Sequence, residues 1–260
     1  YISALENMAI QTQQGFVEEI NQLNLSDEEK AVLATLTLGY RKTMDRELQK
    51  RFSLAGVSHI LSVSGFHVAV VCGFLSFFFC LLPRSQINRW IKYIGMMILL
   101  WSFVLITGLA VPSIRAGIMY SLYLTGSTFR RVGDSYNTLA AAAFCMLAYN
   151  PYYLFDIGFQ LSYLAVFSIL FLQPRIKKMI EVRNPIIAYP WEALTVTVAA
   201  QIGTVILCLY YFGEFSLVFL FTNLPLTLLS TLLIPLALLW LLLPSWLPGI
   251  QWLQMSVEYI

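Results

Sequence analysis

The feature that most constrains this chain is a series of apolar, charge-free runs separated by short loops into which the charges are gathered. Read as helices, the runs number about seven, at roughly 57–82, 91–108, 113–129, 137–150, 157–173, 193–212 and 215–243, given that about 20 helical residues cross a bilayer. Hydrocarbon offers no water to backbone polar groups, so a crossing segment must close its hydrogen bonds internally, and a helix does so. Composition agrees: of 260 residues, 58% are hydrophobic and 12% charged, against about 25% charged in a soluble domain. The expected fold is therefore all-α, a polytopic transmembrane helical domain. The third and fourth runs are short. The seventh is long and contains Pro225 and Pro235, so it is one span, a broken one or a re-entrant one.

Residues 1–56 differ from everything that follows, being polar and mixed in charge. Within them "LSDEEKAVLATLTLG" offers Ser26 as a helix N-cap with Glu29 three residues on, the spacing of a capping box. These residues are expected to form an amphipathic helical lead-in, and 57–260 the transmembrane domain. The chain opens "YISALENMAIQTQQ" with no apolar core of a signal peptide. It has no initiator methionine and stops at "SVEYI", as a fragment would.

Loop charge sets the orientation. Arg84, Arg89, Lys92, Arg130, Arg131, Arg175, Lys177, Lys178 and Arg183 collect on one side, while "TGLAVPS", "NPYYLFD" and "YFGEF" carry no lysine or arginine. The basic side is cytoplasmic by the positive-inside rule. The lead-in then lies on the outer side of the membrane, and so do Arg41, Lys42, Arg46, Lys50 and Arg51, just before the first run. That outer segment runs against the rule, but a long domain is exported regardless of its charge.

Polar residues inside the runs require partners or water, because an unsatisfied polar group in hydrocarbon costs several kcal/mol. "SHILSVSGFHVAVVCGF" holds both histidines of the chain. In one continuous helix His59 and His67 would stand about 12 Å apart along the axis, too far to share a metal ion. Ser62, Ser64 and His67 would instead form a polar stripe descending from the outer surface. Alternatively Gly65 breaks the helix, leaving a half-helix end of the kind found at transport sites. Packing accounts for the same residues if the serines bond back to helix carbonyls. Ser64 and His67, three residues apart, also have the spacing of a nucleophile and its base. No G-x-S-x-G turn surrounds Ser64, however, and no carboxylate is near in sequence.

Arg115, in "LAVPSIRAGIMYSLY", is the strongest single signal. A guanidinium within a span either snorkels to the surface or lines an aqueous path as a fixed positive charge. Asp156, Gln160 and Ser162 fall at the outer end of the fifth run, Gln201 in the sixth and Asn223 in the seventh. One water-filled path lined by these residues explains their distribution, and Asp156 pairing with Arg115 is the structural alternative. Cys72, Cys80, Cys145 and Cys208 all lie in apolar runs without a C-x-x-C pair, as buried thiols do. Neither a metal site nor a cofactor motif is expected, and no P-loop is present to power movement.

Five ordered blocks carry a family resemblance: "LTLGYRKTMDRELQKRFSLAG", "GVSHILSVSGFHVAVV", "GLAVPSIRAGIMYSLY", "FDIGFQLSYLAVFSI" and "YYFGEFSLVFLFTNLPLTLLSTLLIPLALL". Together they resemble the signature of the ComEC competence family, over about residues 33–243. The resemblance implies a channel domain that passes single-stranded DNA into the cytoplasm. It assigns the family's histidines and serine to His59, Ser64 and His67, its arginine block to Arg115, its G-F-Q-L-S block to residues 158–162, and its late asparagine and proline to Asn223 and Pro225. Implied partners are single-stranded DNA, the bilayer, further domains of a longer protein, an outer DNA receptor and a cytoplasmic motor. Nuclease activity is not assigned, since no H-x-H-x-D-H motif occurs in this chain. Phosphate contacts fit Arg115 and the outer basic segment. Base stacking fits Phe66, Tyr163, Tyr210, Tyr211 and Phe212, although interfacial aromatic belts account for such residues too. Acidic residues outnumber basic ones before residue 57, unlike a DNA-gathering surface. The competing readings are an intramembrane serine hydrolase using Ser64 and His67, and a proton-coupled small-molecule transporter using His67, Arg115 and Asp156.

Overall fold

The computed structural model describes residues 4–57, 61, 63–80, 83, 85–129, 134–180, 184–213, 219–243 and 250–259. Among them there are eleven α-helices and no strand: α1 Ala4–Asn21, α2 Asp27–Leu38, α3 Arg46–Leu54, α4 Gly65–Cys80, α5 Gln86–Ile106, α6 Val111–Thr128, α7 Ser135–Tyr149, α8 Ile157–Met179, α9 Pro185–Phe212, α10 Phe219–Leu242 and α11 Ile250–Tyr259. A 3₁₀ turn, Pro151–Phe155, joins α7 to α8. The all-α expectation holds, and α4 to α10 correspond to the seven runs. By length and composition four helical stretches are able to cross a membrane: Gln86–Ile106, Ile157–Met179, Pro190–Phe212 and Thr222–Leu242, with Gly65–Phe79 apolar but shorter. The seventh run is a single helix from Phe219 onward, and both its prolines lie inside it. Among the described residues of the first run the helix starts at Gly65, so Ser64 and His67 stand at a helix start.

The chain forms two compact units. The first comprises Tyr1–Ser53, Ser58–Gly117 and Thr227–Ile260; the second comprises Leu54–Val57 and Ile118–Leu226.

In the first unit the lead-in is a helical hairpin whose core includes residues of α10 and α11. On α1 the buried residues Ala9, Gln13, Val17 and Ile20 recur every three to four positions, which is one helical face. The α2 start is the expected capping box: the Ser26 hydroxyl accepts from the Glu29 N–H at 3.3 Å, and the Glu29 carboxylate accepts from the Ser26 N–H at 2.8 Å. The Ser26 N–H, contributing most, and the Ser26 hydroxyl, which also donates to the carboxylate at 2.8 Å, hold the Glu29 carboxyl below its usual range. At the other end of α2, Gly39 takes a left-handed φ of 71° and returns its N–H to Ala34 and Thr35. A Cβ at Gly39 would meet Val63 Cγ2 at 2.7 Å, so both conformation and space require glycine there. Val17, Ile20, Leu23, Leu33 and Leu38 then pack with Ala237 and Leu241 of α10 and Val257 of α11. Gln13, buried in that hairpin, donates to the Leu38 carbonyl at 2.7 Å.

Helices α4 and α5 pack closely. The Ser76 hydroxyl reaches Met96 Sδ at 3.9 Å, and a Cβ on Gly95 would meet the Phe79 ring at 2.6 Å. The turn from α5 to α6 is tight: Gly108 and Leu109 both have positive φ, 70° and 53°. The Leu109 conformation is costly for a side-chain-bearing residue. Its N–H bonds back to the Val104 carbonyl at 3.1 Å, closing the α5 terminus.

The second unit is built on α8 and α9, its most extensively packed pair. Gly203 of α9 lies directly against Ser168 of α8, where any Cβ would collide with the serine side chain; small residues allow such backbone approach between apolar helices. Lys177 and Glu192 tie the pair at one end, 2.7 Å apart. Helix α7 joins through the Tyr136 ring edge against Phe167 and through the Tyr163 hydroxyl, which lies 3.5 Å from Met146 Sδ.

Candidate functional site

Within the first unit the sequence-predicted residues gather at the start of α4. The Ser64 hydroxyl lies 3.1 Å from His67 Nδ1, and the Ser64 backbone N–H donates to the same nitrogen at 3.2 Å. His67 therefore occupies the third helical position and caps back onto the residue before the helix, the role a glutamate plays in an ordinary capping box. A nitrogen that accepts from a backbone N–H carries no proton, so the neutral ring is protonated at Nε2. His67 is fully buried and stacks edge-on with Phe66 at 5.7 Å. Gly65, the first helical residue, is exposed.

Arg115 is 6% exposed. It therefore does not snorkel to water from the second turn of α6: its guanidinium is held inside the protein. Around α6 it lies on the side away from α5, since Gly117, about 200° further round, is the residue that meets Val104 of α5. The sequence reading passed over Ser113, which is fully buried in the first turn of α6 and whose Oγ has no hydrogen-bond partner among the described residues. A serine directly after Pro112 reads as an ordinary helix-start residue, and only its burial marks it out.

The second unit holds the remaining predicted residues in two clusters. Asp156 is exposed and caps α8, its Oδ1 accepting from the Phe159 N–H at 2.6 Å. Gln160 donates to the Leu154 carbonyl at 2.8 Å and accepts from the Tyr211 hydroxyl at 3.1 Å, joining the turn before α8 to the end of α9. The Ser162 hydroxyl donates back to the Phe159 carbonyl at 3.0 Å. In the other cluster Asn223 of α10, 8% exposed, donates to the Thr197 hydroxyl of α9 at 2.9 Å. Gln201, half-buried, stands one turn beyond Thr197 on the same face. Thr197 is a further polar residue the sequence reading did not single out.

The basic residues before the first run, Arg41, Lys42, Arg46, Lys50 and Arg51, are all exposed. Arg51 pairs with Glu47 at 2.9 Å and lies 3.7 Å from Glu28, while Arg41 Nε donates to the Leu61 carbonyl at 2.9 Å. Two of the five cations are thus committed to the protein itself. His59 and Ser62 lie outside the described residues. Tyr210 and Phe212 are exposed at the end of α9. Among the described residues no group of three metal-ligating side chains converges.

A family model described as "Competence protein" matches residues 36–260. The chain is also 28% identical over 235 residues to ComE operon protein 3 of Bacillus subtilis (strain 168), an alignment covering 90% of this chain and 28% of that protein. The chain thus spans little more than a quarter of that relative's length. No solved structure matches it. A model covering most of the chain, across the same helices that bury His67 and Arg115, decides the matter: this multi-helix membrane protein belongs to the Competence protein family.

Proposed function

We propose that this domain is the part of a DNA-uptake protein that passes a single strand of DNA from outside the cell to the cytoplasm. The observation that carries the reading is the burial of His67 and Arg115, fully and to 6% exposure, at the starts of two apolar helices in a member of the Competence family. Burying a guanidinium among apolar helices costs several kcal/mol, and a polar path for an anionic chain is a reason to carry that cost. The name of the Bacillus relative, from a competence operon, supports the same process. In this reading α4 and α6 both begin at the outer face of the cytoplasmic membrane, and the lead-in hairpin lies on that face. The basic ends of α5 and α8 face the cytoplasm. A receptor outside delivers the strand and a cytoplasmic motor draws it through.

The direct test is uptake of labelled DNA in cells whose protein carries Arg115→Ala or His67→Ala, with membrane abundance measured in parallel. Uptake is expected to fall at least tenfold at normal abundance; unchanged uptake in both variants would refute the reading. One observation favours a second reading: the 3.1 Å separation of Ser64 Oγ and His67 Nδ1 is a nucleophile–base distance. An intramembrane hydrolase would be labelled at Ser64 by a serine-reactive probe and lose that label in His67→Ala. The capping bond from the Ser64 N–H to the same nitrogen explains the geometry without catalysis.

A further inference from the structure

We infer that the outward edge of α3, the line Arg46, Lys50 and Leu54, rests on the membrane surface and binds the headgroups of anionic phospholipids there. The inference goes beyond the passage reading and does not rest on it.

Helix α3 buries one side only. Leu48 packs with Met44, Leu61, Val32 and Phe52, and Met44, Leu48 and Phe52 recur every four residues, which is one helical face. Lys50 follows Leu48 by two positions, about 200° round the axis, so it stands on the side opposite that packed face. Arg46 and Leu54 lie one turn before and one turn after Lys50 on the same edge. All three are exposed, Leu54 to 68%. The leucine is at the end of the line next to the first apolar run, which begins at Val57. That order suits a bilayer surface: long cations keep their charge among the headgroups, while an apolar side chain nearer the hydrocarbon enters the acyl boundary.

Charge is the independent observation. Residues 4–29 hold Glu6, Glu18, Glu19, Asp27, Glu28 and Glu29, all exposed, and no lysine or arginine. Residues 41–51 reverse the balance, with five cations against Asp45 and Glu47. Arg51, on the flank of α3, is matched by Glu47 and Glu28, and Arg41 is engaged by the Leu61 carbonyl. Among the described residues no carboxylate pairs with Arg46 or Lys50. An anionic surface attracts this line and repels the acidic hairpin, so it holds the lead-in one way up. A nucleic-acid strand carries the same charge, but only a bilayer supplies phosphate for the two cations and hydrocarbon for Leu54 at adjoining depths.

The test is hydroxyl-radical footprinting, read by mass spectrometry, of the full-length protein in nanodiscs of phosphatidylcholine alone or with phosphatidylglycerol added. Leu54 is expected to oxidise at least about fivefold more slowly in the phosphatidylglycerol discs, the factor associated with one cation near an anionic surface. Raising the salt to about 1 M, where the screening length is about 3 Å, should remove the difference. The double variant Arg46→Gln, Lys50→Gln should oxidise Leu54 alike in both discs. Leu48 and Phe52, on the packed side, should keep the parent's rates and so report an intact fold. Equal oxidation of Leu54 in the two discs, or phosphatidylglycerol protection that persists in the double variant, would overturn the inference. So would protection that appears only when a thymidine strand is added, because the line would then be a nucleic-acid contact.

Discussion

At the scale of single residues, chemistry in this chain is decided by what each polar group is bonded to. Ser64 and His67 were legible as a pair from their spacing, but their bonding makes the histidine a helix cap as well as a neighbour of the hydroxyl. Asp156 was legible as a polar residue at the outer end of its run, and its bonding makes it in addition the cap of its own helix, with Oδ1 accepting from the Phe159 N–H. Ser113 was not legible at all, because an unsatisfied buried hydroxyl is a property of three-dimensional surroundings. The prediction at this scale concerns Glu29. Its folded-state carboxyl titrates below its unfolded value, so the box contributes stability that is fully present above the unfolded value of about 4.3. That contribution is lost as pH falls through the folded value. Glu29→Ala should therefore lower the thermal midpoint at pH 7, and the gap from the parent should close as pH is taken from 5 to 3. A gap that persists at pH 3 would mean the carboxylate is not the source.

At the scale of elements, the apolar runs became helices because their period, length and composition leave no other way to satisfy a backbone in hydrocarbon. The exception is instructive. Among the described residues of the first run the helix starts at Gly65, where Ser64 and His67 bond to each other as a local cap. Helix pairing was less legible, because any apolar face can pack on any other. The partner of α9 is decided by Gly203, whose missing side chain admits Ser168 of α8. Gly203→Val should thus separate the pair, lowering the detergent-solubilised thermal midpoint or abolishing accumulation, whereas Gly15→Ala, with open space around it, should not destabilise. In the lead-in, Ile20 is 1% exposed within the core shared by α1, α2, α10 and α11. Ile20→Ala should cost about 2–5 kcal/mol of unfolding free energy, read by chemical denaturation. A loss below about 0.5 kcal/mol would mean that the hairpin does not depend on this core.

At the scale of the whole molecule, orientation is the property most open to direct test. Charge bias predicts that the exposed Tyr152 lies outside the cell and the last turn of α8, with Lys178, inside. Tyr152→Cys should be labelled by an impermeant maleimide on intact cells, and Lys178→Cys only after permeabilisation; the reverse pattern would invert the assigned topology. Membership in the Competence family was legible from five ordered blocks, since ordered motifs encode shared ancestry without any knowledge of packing. The sequence by itself determined the helical class, the membrane setting, the capping box and the family, because hydrophobic period, charge clustering and local hydrogen-bond chemistry act over a few turns of chain. Only the tertiary structure decided that the lead-in hairpin shares a core with α10 and α11, that Arg115 is buried rather than extended to the surface, and that the Ser113 hydroxyl is enclosed without a hydrogen-bond partner among the described residues. These depend on contacts between residues far apart in sequence, where closeness follows from the joint packing of many side chains and no short pattern specifies it.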